Sequence, residues 1–126
     1  MDFLDRGRSP IEDWLEDRRE VPVKAKAKID RVLLQLSATP LWVRPLASNL
    51  DDYPGIVEIR ILYLNVQYRL LGFRGPFDQQ FTLLLPAKEQ GDTFNPRNAP
   101  EMAQNRMEIV RSDPRGRTRE HRFGKK

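Results

Sequence analysis

The order of periodicities along the chain predicts an α+β domain: two helices, a small antiparallel sheet, then a C-terminal helix. Three observations carry it. Residues 9–37 place apolar side chains at helical spacing. Residues 55–88 alternate apolar and polar side chains in three short runs, and residues 98–111 return to helical spacing. A length of 126 residues fits one domain, residues 1–111, and residues 112–126 read as a tail.

Met1 to Gly7 is short and polar apart from Phe3 and Leu4, so it reads as the remnant of an edge strand or a frayed end. Ser9-Pro10-Ile11-Glu12 is a helix start, with Ser9 at the N-cap, Pro10 at the first helical position and Glu12 closing a capping box. Ile11, Trp14 and Leu15 make one apolar stripe. Val21-Pro22 breaks the pattern, and a second helix runs from Val23 to about Ser37 on the stripe Ile29, Val32, Leu33, Leu36. Lys24, Lys26, Lys28 and Arg31 on this helix are either a solvated surface or a face for phosphate or a partner.

Thr39-Pro40 ends the second helix. Leu41 to Asp52 then reads as a loop anchored by Leu41, Trp42, Leu46 and Leu50. Trp42 suits core or rim packing, with base stacking as the alternative. In Gly55 to Phe73, Val57, Ile59 and Ile61 share one side of a strand, and Val66, Tyr68 and Leu70 share one side of the next. The short Tyr63-Leu64-Asn65 link makes them a hairpin.

Phe81 to Lys88 is a third strand, with Phe81, Leu83, Leu85 and Ala87 on one side. Pro86 near its end points to an edge position or a bulge. The sheet so predicted has one greasy face and one polar face carrying Glu58, Arg60, Gln67, Arg69, Thr82 and Lys88. Asn98-Ala99-Pro100-Glu101 starts a third helix to about Arg111, on Ala103, Met107 and Val110. The remainder has almost no apolar content and reads as a mobile basic tail.

The net charge of +4 is a property of that tail: residues 111–126 hold seven Lys/Arg against two Asp/Glu, and the rest of the chain holds fifteen against sixteen. The whole-chain charge therefore gives no argument that the folded body is a general nucleic-acid binder. With no cysteine there is no disulfide and no thiolate metal site. No apolar run approaches the ~20 residues of a membrane span. The opening MDFLDRGRSP has acidic residues and no apolar h-region, so a signal peptide is not expected, and a cytoplasmic location is. The sequence holds no phosphate-binding glycine loop, no HExxH, no Gly-x-Ser-x-Gly and no calcium loop. The single histidine, His121, lies in the tail, too few for a His/carboxylate metal centre, so neither a metal nor another cofactor is expected.

Five stretches together resemble the RelE/HigB-like toxins of bacterial type II toxin–antitoxin modules, in their phage-derived branch. They are RGRSPIEDWL, KAKAKIDRVLLQL, RPLASNLDDYPGIVEIRI, VQYRLLGF and FTLLLPAKEQGDTFNPRNAPEMAQNR, which cover about residues 6–112. The resemblance implies a RelE/ParE-like α+β fold: two N-terminal helices packed on a small twisted antiparallel sheet, with a C-terminal helix. It implies cleavage of mRNA, free or on the ribosome, and neutralisation by a cognate antitoxin of helix-turn-helix type.

Carried over residue by residue, Arg60 and Arg69 match the basic positions of the hairpin strands, and Lys88 the cation of the last strand. Phe94 falls where several relatives have tyrosine; a phenyl ring stacks on a base but exchanges no proton. Glu58 sits where some relatives carry lysine. In the mechanism these residues imply, the 2′-hydroxyl attacks the adjacent phosphorus. Arg60, Arg69 and Lys88 stabilise the phosphorane charge, Glu58 accepts the proton, and Lys88 donates one to the leaving oxygen. Gln67, Phe94 and Tyr63 contact the RNA, the rings by stacking. The competing reading is that Glu58 forms plain surface ion pairs with Arg60 or Arg69. Two other functions stay open: a non-enzymatic ParE-like gyrase poison, and an inactive phage protein on the same fold.

Overall fold

The structure is a computed structural model that describes residues 1–39, 42 and 46–123. In chain order its elements are β1 (Asp2–Phe3), α1 (Pro10–Glu16), α2 (Val23–Ser37), β2 (Ala47–Asn49), β3 (Val57–Tyr63), β4 (Val66–Arg74), β5 (Phe81–Gln90), β6 (Thr93–Asn95), α3 (Ala99–Ser112) and β7 (Thr118–Arg119). The three long strands and all three helices lie where the sequence periods put them. The predicted α1 cap is present, Ser9 Oγ accepting from the Glu12 amide at 3.0 Å. At α3 the Asn98 side chain makes no capping bond. The hairpin closes on Tyr63↔Val66, with Leu64 and Asn65 both at positive φ. That is the two-residue turn whose twist matches that of the strands.

The architecture departs from the expected small antiparallel sheet under two helices. Among the described residues seven strands form one mixed sheet in the order β2-β3-β4-β5-β1-β7, with β6 also paired to β5. β1 runs parallel to β5, with Asp2 opposite Leu83. β1, β2, β6 and β7 are two or three residues long, too short to show a period of two. β1 is an interior strand, not a frayed end, and β2 lies inside the stretch Leu41 to Asp52 read as a loop, of which residues 41 and 43–45 fall outside the described residues.

The sheet is also covered on both faces. On one, α1 and α2 bury Ile11, Leu15, Ile29, Val32, Leu33 and Leu36 against Ile59, Ile61, Tyr68, Leu70 and Leu83. On the other, Ala99, Ala103, Met107 and Val110 of α3 pack on Ile56, Leu71, Phe73, Leu84, Leu85 and Ala87. Each fully buried side chain of this size stabilises the fold by about 1.5–3 kcal/mol. The face expected to be polar is therefore a second core with one polar region.

A β-bulge causes the other departure. Leu71 pairs with Leu85, yet its neighbour Gly72 pairs with Leu83, so Leu84 is an extra residue on β5. One extra residue turns every later side chain to the opposite face. Leu83 thus belongs to the α1/α2 core, while Leu84, Leu85 and Ala87 belong to the α3 core.

The described part of the tail, residues 112–123, is bound, not free, and residues 124–126 lie outside the described residues. β7 pairs antiparallel with β1, and Arg117 and Leu4 exchange contacts through the Leu4 amide and the Arg117 guanidinium. His121 Nδ1 lies 2.8 Å from Asp2 Oδ1. Arg119 and Arg122 both pair with Glu12. A low apolar content predicts disorder only where polar groups lack fixed partners, and Asp2 and Glu12 supply them here. Among the described residues no helix is long and apolar enough to cross a membrane.

Candidate functional site

The polar region of the α3 face is built by strand register. Arg60 of β3 stands opposite Arg69 of β4, and Arg69 opposite Ala87 of β5. The adjacent row runs Leu62, Gln67, Glu89, Phe94 across β3, β4, β5 and β6. Two arginines directly opposite each other repel. Glu58, two residues before Arg60 and on the same face, resolves the conflict: its carboxylate accepts from Arg60 Nε at 2.8 Å and lies 3.4 Å from Arg69 Nε.

Arg69 is fully engaged. Its Nε donates to Glu89 at 2.7 Å, Nη1 donates to the Tyr68 carbonyl at 3.1 Å, and Nη2 donates to the Gln67 side-chain oxygen. Its side chain is 8% exposed and that of Glu58 3%, whereas Arg60 keeps 37% of its side-chain surface open. Among the described residues Arg60 forms its one side-chain hydrogen bond through Nε. Two arginines and two carboxylates make the cluster neutral overall, not a cationic patch. Its exposed cation is Arg60, backed by a buried carboxylate and a buried second guanidinium.

The expected site residues separate into two groups. Glu58, Arg60, Gln67, Arg69 and Phe94 come together on the α3 face. Glu89 joins them and was missed, because only the bulge turns it to this side. Lys88 and Tyr63 do not join. Lys88 is opposite Tyr68 on the α1/α2 face, its Nζ 5.7 Å above the Tyr68 ring and 3.4 Å from Glu20. Tyr63 packs on the same α1/α2 core. The expectation of three cations on one face thus fails at Lys88, and the inserted Leu84 is the reason. Thr82 is buried and donates to the Gly75 carbonyl at 2.8 Å, a structural bond.

The helix α2 cations are partly absorbed as well. Lys26 pairs with Asp30 at 3.2 Å and Glu16 at 3.9 Å, and Lys28 donates to the Leu62 carbonyl. Trp42 packs at the edge of the core and donates through Nε1 to the carbonyls of Leu36 and Thr39. Among the described residues no group of three His, Cys, Asp or Glu side chains is placed to hold a metal ion.

Around Lys88, burial pushes the Tyr68 phenol above its usual pKa, with Glu20 and Tyr63 adding to the shift. The folded phenol therefore holds its proton at a pH where the unfolded chain has released it. Stability from this group is fully present below the unfolded value of 10.0 and is lost as pH rises past it. Tyr68→Phe should remove that part of the alkaline loss. Urea midpoints of wild type and variant at about pH 9 and about pH 11 test it: a wild-type midpoint that falls no more than the variant's refutes the linkage.

No family model, no curated protein and no solved structure matches this chain.

Proposed function

We propose that this chain is the toxin of a type II toxin–antitoxin module, an endoribonuclease that cuts mRNA in the cytoplasm and is neutralised by a helix-turn-helix antitoxin. One observation carries the reading: Arg60 and Arg69, matched by the resemblance to basic positions of such toxins, sit as a cross-strand pair around one buried carboxylate. Glu89 and Phe94 occupy the next row.

In this reading Arg60 is the residue that meets the scissile phosphate, because it alone of the pair is substantially exposed. Its planar fork suits two phosphoryl oxygens. Glu58, closed from solvent, positions both guanidinium groups and does not reach a ribose. Glu89, through the carboxylate oxygen that Arg69 does not hold, takes the 2′-hydroxyl proton as the 2′-oxygen bonds to phosphorus. The 5′-oxygen leaves with its electron pair and takes a proton from water, giving a 2′,3′-cyclic phosphate and a 5′-hydroxyl. Phe94 stacks on a neighbouring base. Lys88, on the far face, takes no part.

The test is primer extension on cellular mRNA after brief induction. Wild type should give cuts within translated codons. Arg60→Met should reduce them by about 10²–10³-fold, the usual loss on removing one preorganised donor. Cleavage by Arg60→Met at the wild-type rate removes the assignment.

A second reading is favoured by the neutrality of the cluster, in which Arg69 is wholly committed to protein partners. That reading is a non-enzymatic ParE-like gyrase poison, and the same induction would then raise a DNA-damage response without cuts. The absence of both cuts and a DNA-damage response would indicate an inactive phage protein.

A further inference from the structure

On the α1/α2 side of the sheet, the C-terminal end of α2 and the facing ends of β4 and β5 enclose a cleft of about 850 Å³. That is within the range of small-molecule sites. It lies across the sheet from the two-arginine cluster, and nothing in the proposed cleavage uses it.

Its walls are aromatic. The Trp42 and Phe81 rings meet at 4.7 Å between centroids, tilted by 53°. Trp42 is fixed there, since its Nε1 is held by two carbonyls at 2.9 Å each. Phe123 also lines the cleft, edge-on to His121 at 4.8 Å, and His121 is itself anchored on the buried Asp2. Leu36 contributes to the aliphatic part of the lining.

The cleft's charge is set by three groups besides His121. Arg74 lies with its guanidinium carbon 4.7 Å over the Trp42 ring. The Met1 ammonium donates to the Phe81 carbonyl at 2.9 Å, and burial holds its pKa below the usual amine value. The lining carboxylate, Glu120, acts electrostatically on that ammonium. Arg74 is thus the cation of the cleft with a permanent charge and, among the described residues, no ion-pair partner. Guanidinium stacked on an aromatic face keeps its in-plane N–H donors free for a carboxylate or phosphate.

We propose that this cleft binds a free, planar aromatic anion, its ring against Trp42 and Phe81 and its anionic group on Arg74. The shared chemistry is one flat ring system carrying one carboxylate or phosphate. An aryl carboxylate and a nucleoside monophosphate both fit that description.

The full chain is titrated with 1-naphthoate and, separately, with AMP, by calorimetry and by Trp emission. At least one probe should give a saturable signal with Kd below about 1 mM. The probe that binds identifies the source of the ligand. The neutral 1-naphthalenemethanol, or adenosine in the AMP arm, should bind at least about tenfold more weakly. Arg74→Met should weaken binding about tenfold or more while leaving the urea midpoint unchanged, and Arg74→Lys should fall between it and wild type. Trp42→Phe should lower the heat of binding and lose the emission change, since it shortens the ring wall and removes its two anchoring bonds. No saturable signal from either probe, or equal binding by Arg74→Met, overturns the proposal.

Discussion

Arg69→Ala will destabilise the chain by about 3–5 kcal/mol, the usual cost of removing one partner from a buried charge pair. The loss is large because of what stays behind. Glu58 and Glu89 keep side chains only 3% and 18% exposed, and each loses its contact to the same guanidinium. The Tyr68 carbonyl and Gln67 oxygen lose donors too. Urea unfolding gives the number, and a loss under about 1 kcal/mol would mean that solvent already screens the cluster. Adding Glu58→Gln to Arg69→Ala should restore part of the loss, since it removes one of the stranded charges. Cleavage has to be compared at equal folded fraction. If the proposed function is right, Arg69→Ala loses activity there as well, because Arg60 then shares Glu58 with no second cation.

Gly72→Ala should be at least as damaging, by about 3 kcal/mol or more, for a steric reason. A Cβ at residue 72 would lie 2.3 Å from the Thr82 carbonyl oxygen and 2.5 Å from Phe81 Cε1. The ring has some freedom, but the carbonyl belongs to the paired backbone of β5. Relief therefore requires opening the β4/β5 ladder beside the bulge. Gly91→Ala is the control. Its Cβ meets nothing within 4 Å, and only the φ of +60° opposes it, so about 1–2 kcal/mol is expected. Circular dichroism melts of the two variants separate these costs. Equal melting points would show that the bulge region yields easily.

The sequence made the long elements legible because each carries its own period. Ser9 and Pro10 announce α1, Ile29 to Leu36 mark the buried side of α2, and Val57 to Leu70 mark the hairpin. What it hid is informative in physical terms. Asp2–Phe3, Thr118–Arg119 and Thr93–Asn95 are strands by pairing alone, and two or three residues cannot display alternation. The second core was hidden because Leu85 and Ala87 were read onto one greasy face with Phe81 and Leu83, with α3 given no surface to cover.

The site was half legible for a related reason. Register places Glu58, Arg60 and Arg69 on one face by simple counting within an uninterrupted hairpin. Lys88 and Glu89 could be placed only by knowing that Leu84 is an insertion. Pro86 hinted at a bulge nearby, but not on which side of it the count should change. A buried Glu58 was also out of reach of sequence reasoning, which had assumed an open polar face.

The position of β1 between β5 and β7 has a consequence for how the protein is made. Asp2 stands opposite Arg119 and is touched by His121, so β1 meets these partners only more than a hundred residues further along the chain. Until then the nascent chain holds one flank of β1 uncovered and the Asp2 carboxylate with only Ser9 beside it. Closing a loop of more than a hundred residues is slow relative to forming a helix or a hairpin. Translation that stops short of Thr118 therefore yields a product with an open, strand-accepting edge.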